Sequence, residues 1–305
     1  MTDYRAVVDA EISFANGGGI SVSGFRLDIP GQDTGRDEIG QLLVRSLGLL
    51  MADDVRMGSI EIIAEQHKGT RGGPADVSAG RTGRGRGRLV DLSHPIRAGM
   101  VTLPGLPGPE ITRHLTREAS KAIYAPGTTF EIGRISMVAN TGTYVDAPHH
   151  RFAGGVDLSG LELSSLADLP TIVVRLRDTP PGGIGVEALA AYDVKGHAVL
   201  LETGDSDRFG DPEYVENPSF LTRDGASWLV AHGVQLVGID AANIDDMGDG
   251  TRPAHTLLLQ AGIPVVEHVT GLSEVPATGA RFFAVPPKVA DFGTFPVRAF
   301  ALIPA

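Results

Sequence analysis

A segment rich in glycine and arginine, residues 69–88, divides this chain of 305 residues into two unequal parts. The segment carries five arginines against a single acidic residue, Asp76, and its apolar residues show no periodicity. Such a composition buries too little apolar surface to order the backbone, so it predicts a flexible linker. An arginine–glycine RNA-binding tail and a partly ordered strap between domains are the alternative interpretations. We therefore expect one small unit at residues 1–68 and one larger unit at residues 89–305.

The small unit has the pattern of an α+β module. Apolar residues predict strands at 6–14 and 20–29, and Asn16 with three following glycines predicts the turn between them. Apolar residues then recur at helical spacing over 39–50, and a last strand is predicted at 55–63. The unit holds no cluster of metal-ligating or nucleophilic residues, so we interpret it as an accessory or oligomerising module. A substrate lid or a partner-docking surface is the alternative.

The larger unit mixes short strands with helices that end at glycines. Helices are predicted at 224–232 and 255–260, and each is followed by a glycine and an apolar strand. The predicted strands are 89–92, 130–138, 171–176, 198–202, 235–239, 263–267, 282–286 and 299–303. This order predicts the α/β fold class, with a mixed sheet or a barrel-like core in the larger unit.

Composition excludes several functional classes. The chain has 26 basic and 37 acidic residues and a net charge of −11, which argues against nucleic acid as a partner. It has no cysteine, so any transition metal must be bound by His, Asp or Glu side chains. The sequence shows neither an apolar run of about 20 residues nor a signal peptide, so we expect no membrane partner and a cytoplasmic location. Without a glycine-rich phosphate-binding loop after a strand, no nucleotide cofactor is expected.

The densest group of polar residues runs from Asn140 to Arg151, with the sequence NTGTYVDAPHHR. Glycine and proline fix the shape of a loop there, and Asp146 and His150 project from it four residues apart. A carboxylate and an imidazole at this spacing are able to share one divalent ion. A hydrogen-bonded turn facing solvent is the alternative.

A second candidate pair is formed by His255, on a predicted helix, and Glu267, at the end of the next predicted strand. A helix followed by a strand is able to bring residues at this separation side by side. Glu267 closes an apolar strand, and a buried carboxylate is costly unless it is paired or bound to a metal. A strand-end glutamate facing solvent is the alternative.

Together these motifs resemble the cyclase/kynurenine-formamidase family of metal-dependent hydrolases, whose hallmark is H-x-G-T-H-x-D-x-P-x-H. Asn140 and Tyr144 stand where the hallmark has its first two histidines. The matching hallmark positions are Gly142, Thr143, Asp146, Pro148 and His150. Further similar stretches are 91–95, 99–100, 203–205, 236–240 and 255–267, so the resemblance extends over residues 89–305.

The resemblance implies a swivelling β/β/α-type fold, a homo-oligomer and a metal site. The matching ligand positions are Asp146, His150, His255 and Glu267. Asparagine and a neutral phenol are poor ligands for zinc or manganese, so Asn140 and Tyr144 favour one divalent ion over two. A metal-free site is the alternative. The residues expected to line a substrate pocket are Asn140, His149 and His94.

The expected reaction is the hydrolysis of a cyclic or aryl amide, imide or lactone, a small-molecule substrate, by metal-activated water. His150 is the expected proton carrier, and Tyr144 is the expected hydrogen-bond donor to the substrate oxyanion. The first alternative is a metal-independent cyclase or dehydratase of polyketide-type secondary metabolism, in which Tyr144 and His150 are an acid–base pair oriented by Asp146. The second alternative is an inactive scaffold that binds a partner.

Overall fold

A computed structural model describes residues 2–15, 17–47, 49, 52–66 and 87–305. The chain forms two compact units, residues 1–82 and 83–305. The segment predicted to be a linker lies outside the described residues except for its last two. The second of these, Arg88, begins a strand of the larger unit.

The smaller unit is a three-stranded antiparallel sheet with one helix. Its strands are β1 (Thr2–Phe14), β2 (Gly19–Ile29) and β3 (Ala52–Gln66), in the order β2-β1-β3, and its helix is α1 (Arg36–Ser46). Alternate residues of β1, such as Val8 and Ile12, are buried with Ile39 and Leu43 of α1 in one core. The predicted helix extends to residue 50, but α1 ends at Ser46, where the Leu47 N–H closes the last turn on Leu43.

The larger unit contains the remaining strands and helices. The strands are β4 (Arg88–Asp91), β5 (Glu110–Leu115), β6 (Ile132–Ser136), β7 (Tyr144–Asp146), β8 (Leu169–Arg175), β9 (Gly183–Ile184), β10 (Ala198–Glu202), β11 (Phe220–Leu221), β12 (Leu236–Ile239), β13 (Val265–Glu267), β14 (Thr278–Phe283), β15 (Thr294–Pro296) and β16 (Phe300–Ile303). The helices are α2 (Arg117–Ser120), α3 (Pro148–Arg151), α4 (Val186–Leu189), α5 (Arg223–Ala231) and α6 (Pro253–Gln260).

Nine of these strands form one mixed sheet in the order β15-β7-β13-β12-β10-β8-β14-β16-β4. The four central strands β13, β12, β10 and β8 are parallel, and the flanking pairs are antiparallel. Alternate residues of β10 face opposite sides, because Leu200 packs in one core while Val199 and Leu201 pack in the other. The carboxyl ends of the parallel strands therefore meet at one edge, where side chains from neighbouring strands come together.

The mixed α/β class predicted from the sequence is confirmed. Several short strands were not predicted, namely β5, β7, β9, β11 and β15. Strands of two or three residues, such as β7 and β15, are too short to show a period, and both form through pairing with distant parts of the chain. Within the described residues, no helix has the length and apolar character needed to cross a bilayer.

Candidate metal centre

Apart from Asn140, which precedes β7, the predicted site residues of the hallmark lie on β7 and in the helical turn that follows it. Strand β7 pairs antiparallel with β13, which places Tyr144 opposite Glu267 and Asp146 opposite Val265. Tyr144 and Asp146 are two residues apart and so project from the same side of the sheet. Pro148 occupies the first position of α3, where its fixed φ favours a helix start, and the turn carries His150 back towards Asp146.

Three potential ligands converge at this point: Asp146, His150 and His255 each offer an atom, and these atoms lie within 4.8 Å of one another. Asp146 Oδ2 is 3.5 Å from His255 Nε2, and Asp146 Oδ1 is 3.6 Å from His150 Nδ1. Asp146 is fully buried, yet its Oδ2 atom has no hydrogen-bond partner among the described residues. A buried carboxylate oxygen without a hydrogen-bond partner, facing an imidazole nitrogen, has the donor chemistry that binds a divalent cation.

A carboxylate behind the His255 ring determines which nitrogen faces this cluster. Asp245 Oδ2 lies 2.6 Å from His255 Nδ1, and Asp245 also accepts hydrogen bonds from the backbone N–H groups of Ala254 and His255 at the start of α6. A proton shared with Asp245 on Nδ1 leaves the Nε2 lone pair free to bind a metal. Carboxylates play this part behind metal-ligating histidines in many proteins.

Glu267 lies next to the three-residue cluster, and both of its oxygens accept hydrogen bonds. Oε1 accepts from the Ile244 N–H at 2.6 Å and is 3.7 Å from His255 Nε2. Oε2 accepts from the Tyr144 hydroxyl at 2.6 Å. A carboxylate oxygen has two lone pairs, so Oε1 retains the capacity to bind a cation beside His255.

Electrostatics make this cluster a site for positive charge. Burial alone would lower the pKa of His255, but the surrounding carboxylates, Glu267 first among them, outweigh burial and raise that pKa to about 10. Burial and the neighbouring charge of Asp146 raise the pKa of Glu267. A proton on His255 or a divalent ion between the ligands supplies the positive charge that the carboxylates require.

A chain of hydrogen bonds orients His150. The Thr294 hydroxyl donates to Asp146 Oδ1 and lies 2.7 Å from His150 Nδ1. Because the Thr294 proton goes to the carboxylate, the His150 Nδ1–H donates to the threonine oxygen. The His150 Nε2 lone pair then remains available, on a side chain that is 35% exposed.

The structure distributes the other predicted site residues around this cluster. Tyr144 is buried, and its proton goes to Glu267 rather than to the substrate, so its predicted role as oxyanion donor is not the one that this geometry favours. Burial raises the pKa of Tyr144 well above its usual value. Asn140 lies near the same phenol and acts in the opposite direction, lowering its pKa. His149 is half-buried on α3. His94 stacks on Phe209 and lines a cavity of about 700 Å³.

Sequence reasoning missed Asp245 and Thr294, which orient the two histidines. Asp245 lies ten residues before His255 in an aspartate-rich loop, and Thr294 lies on a three-residue strand far from the hallmark. Local spacing carries no signal for either residue, because only the pairing of β15 with β7 brings Thr294 opposite Asp146.

The residues present fit one divalent ion. Asp146 and His255 supply a carboxylate oxygen and an imidazole nitrogen. His150 and Glu267 lie close enough for either of them to supply a third ligand atom. Zinc and manganese both accept this combination of donors. Asn140 and Tyr144 stand at the two positions where the hallmark has further imidazoles.

Comparison with known proteins is consistent with this geometry. A family model described as "Putative cyclase" matches residues 90–246, slightly more than half of the chain. A kynurenine formamidase of Bacillus cytotoxicus is 29% identical over 215 residues, which cover 69% of this chain and 95% of that protein.

Solved structures share the fold of the larger unit. A potential metal-dependent hydrolase with cyclase activity superposes with a TM-score of 0.60 and 26% identity, covering 72% of this chain and 98% of that one. Isatin hydrolase A from Ralstonia solanacearum gives a TM-score of 0.59 at 23% identity, covering 71% of this chain and 92% of that one. These matches confirm the resemblance and the fold that the hallmark indicated.

Proposed function

The chain belongs to the cyclase family, and on that premise we propose that it hydrolyses a carbon–nitrogen bond of an aryl or cyclic amide or imide, or the ester bond of a lactone. One divalent ion, zinc or manganese, is the proposed cofactor. The observation that carries the proposal is the convergence of Asp146, His150 and His255 around the unpaired Oδ2 atom of Asp146. The similarity to a kynurenine formamidase favours an amide, and in particular an aryl formamide, as the substrate.

The proposed ligands are Asp146, His255 and Glu267, with Asp245 orienting His255. A divalent ion bound there lowers the pKa of water and polarises a carbonyl group. Burial of Asp146 and Glu267 keeps competing solvent away from their oxygens and strengthens their attraction for a cation. The hydrogen bonds from Ile244 and Tyr144 hold Glu267 in one orientation.

His150 is the proposed proton carrier. The Thr294 hydroxyl fixes its Nδ1–H, so Nε2 is free to accept the proton released when water adds to the carbonyl carbon. The same nitrogen then returns that proton to the leaving nitrogen as the carbon–nitrogen bond breaks. The partial exposure of His150 suits a group that must meet a substrate.

A metal-independent ring closure fits this arrangement less well. It requires Tyr144 and His150 to act as an acid–base pair on the substrate. The Tyr144 proton is instead given to Glu267, so the phenol has no proton to donate to a substrate. An inactive scaffold would have no physical need for an unpaired carboxylate oxygen beside two imidazoles. Hydrolysis is therefore the function that the geometry favours.

The test combines metal analysis with turnover of the full chain. Purified wild type and His255→Ala are stripped with a chelator, reloaded with zinc or manganese, and analysed by elemental mass spectrometry. Turnover is followed with formanilide as an aryl formamide, isatin as a cyclic aryl amide and dihydrocoumarin as a lactone. His114→Ala removes an exposed histidine on β5 and is the matched control.

We expect one ion per wild-type chain, loss of both the ion and turnover in His255→Ala, and wild-type behaviour in His114→Ala. Turnover that continues undiminished after the metal has been stripped would overturn the proposed hydrolytic mechanism. Turnover of formanilide alone among the three probes would identify the substrate class as an aryl formamide.

A further inference from the structure

His268 has a buried ring whose Nε2 atom has no hydrogen-bond partner among the described residues. The residue is fully buried and follows Glu267 directly in the chain. Its backbone has a φ of +56°, in the left-handed region that is uncommon for residues other than glycine. A strained residue persists where the surrounding structure holds it, and such residues concentrate at functional sites. The mechanism described above makes no use of this imidazole.

Tyr214 determines where the proton of this ring lies. The Tyr214 hydroxyl is 2.7 Å from His268 Nδ1, its hydrogen-bond partner among the described residues. The phenol is 2% exposed. If the ring carried its proton on Nδ1, the phenol proton would be buried without an acceptor, which is costly. The phenol therefore donates to Nδ1, and the ring proton is on Nε2. His268 thus presents a buried Nε2–H donor that the described residues leave without an acceptor.

The surroundings of this donor connect it to the candidate metal centre. The centroid of the His268 ring lies 5.1 Å from that of Tyr144, whose hydroxyl binds Glu267. The ring centroid is also 5.9 Å from that of Phe209, which stacks at 3.7 Å on His94. His94 lines the cavity of about 700 Å³, a size that holds small-molecule ligands. The His268 ring therefore neighbours Tyr144, beside the metal-ligand region, and Phe209, whose stacking partner His94 lines the cavity.

We propose that the Nε2–H of His268 donates a hydrogen bond to the substrate oxygen that becomes negative during hydrolysis, and that Tyr214 is a positioning residue that keeps the proton on Nε2. This inference rests on the proposed function, because the oxygen is that of the amide carbonyl. A substrate oxygen supplies the acceptor that the buried donor lacks. The hydrogen bond strengthens as the oxygen gains charge, so it favours the transition state over the bound substrate.

The test compares wild type with Tyr214→Phe and His268→Asn in the full, zinc-loaded chain, using formanilide and isatin as probes. Asparagine tolerates the left-handed backbone, but its amide is shorter than the imidazole.

We expect kcat to fall about a hundredfold in His268→Asn, as when an oxyanion donor is removed. We expect a roughly five- to tenfold fall in Tyr214→Phe, the effect of one hydrogen bond. KM and zinc content stay near wild-type values in both. Tyr124→Phe, at a partly exposed tyrosine, is the control and keeps the wild-type kcat.

Nitrogen-15 NMR of the histidine rings in the zinc-loaded protein without substrate separates a positioning role from a merely structural one. We expect His268 to carry its proton on Nε2 in wild type and to show a mixture of both tautomers in Tyr214→Phe. A wild-type proton on Nδ1, or wild-type kcat in both variants, overturns this inference while the proposed function stands. No wild-type turnover of either probe or of dihydrocoumarin overturns the proposed function, and this inference with it.

Discussion

At the scale of single residues, Asp245 orients a ligand of the proposed metal site without being a proposed ligand itself. It holds His255 Nδ1 at 2.6 Å and so directs Nε2 towards Asp146. We expect Asp245→Asn to weaken metal binding about 10- to 100-fold, the usual effect of changing a carboxylate behind a metal-bound histidine. Titration of the stripped protein with zinc against a competing chelator measures this affinity.

The same substitution leaves one acceptor oxygen, for the Ala254 N–H, and removes the acceptor of the His255 N–H at the start of α6. We therefore expect the melting temperature to fall by a few degrees, the effect of about one hydrogen bond. Asp246→Asn is the matched control, because Asp246 is the exposed neighbour and its side chain accepts a hydrogen bond from the nearby Gly248 N–H. Equal zinc affinities for Asp245→Asn and wild type would show that Asp245 serves the helix terminus alone.

His94 couples the stability of the larger unit to pH. Burial lowers the pKa of His94 to about 4, below its ordinary value of 6.5. The unfolded chain therefore binds a proton at this position before the folded chain does, and stability that is complete above pH 6.5 is lost as the pH falls towards 4. Allowing for partial screening by solvent, we expect protonation of His94 to lower the free energy of unfolding of wild type by about 1 kcal/mol between pH 6.5 and 5.

Urea unfolding at pH 7.5, 6.5 and 5 measures this loss. The chain has one tryptophan, Trp228 on α5, so its fluorescence reports the larger unit specifically. His94→Phe keeps a ring to stack on Phe209 and should unfold with a shallower pH dependence than wild type. His114→Phe, at an exposed histidine, should keep the wild-type dependence. The same pH dependence in His94→Phe and wild type would contradict this account.

At the scale of secondary structure, the position of α3 depends on a glycine that precedes β15. A Cβ atom at Gly293 would lie 2.5 Å from both the Cα and the N atom of His150, and backbone atoms cannot yield by a simple side-chain rotation. The Gly293 carbonyl also accepts the Ala147 N–H just before α3 begins. Gly293 therefore allows the strand that carries Thr294 to lie directly against the turn that carries His150.

We expect Gly293→Ala to displace α3 and to lower kcat by about ten- to a hundredfold, because a shift near 1 Å at a catalytic group has effects of this size. Steady-state kinetics and the melting temperature measure the two consequences. Gly154→Ala is the control, since a Cβ there meets nothing within 4 Å and its φ is not positive. Wild-type kcat in Gly293→Ala would show that α3 tolerates the displacement.

The same elements show what sequence alone was able to predict. Strand β10 was predicted with its observed bounds, because a run of buried apolar residues ends at Thr203-Gly204. The candidates Asp146, His150, His255 and Glu267 were chosen from the hallmark and from residue chemistry. Asp245, Thr294 and His268 were not, since their roles arise from tertiary contacts that bring together residues from 10 to 144 positions apart.

At the scale of the whole molecule, the candidate site draws on residues from His94 to Thr294, so it depends on contacts between distant parts of the larger unit. The buried apolar residues of the described chain form three separate cores, and none of them includes residues of both units. Two of them lie on the two faces of the nine-stranded sheet, within residues 90–301, and the third lies within the smaller unit, in residues 6–43. We propose that the two units are separate domains, because each buries its own apolar surface.

We therefore expect residues 83–305, produced alone, to fold and to bind one zinc ion. The fragment should turn over the same probes as the full chain, with kcat changed less than about twofold, because distant parts of a protein act nearly independently. The fragment must begin before Arg88, because β4 forms the sheet edge by pairing with β16 and contributes Val90 to the core. A fragment beginning at Ser93 lacks this strand and should unfold at lower urea concentration, as measured by Trp228 fluorescence. Loss of turnover in the 83–305 fragment, with its unfolding midpoint unchanged, would instead assign the smaller unit a part in catalysis.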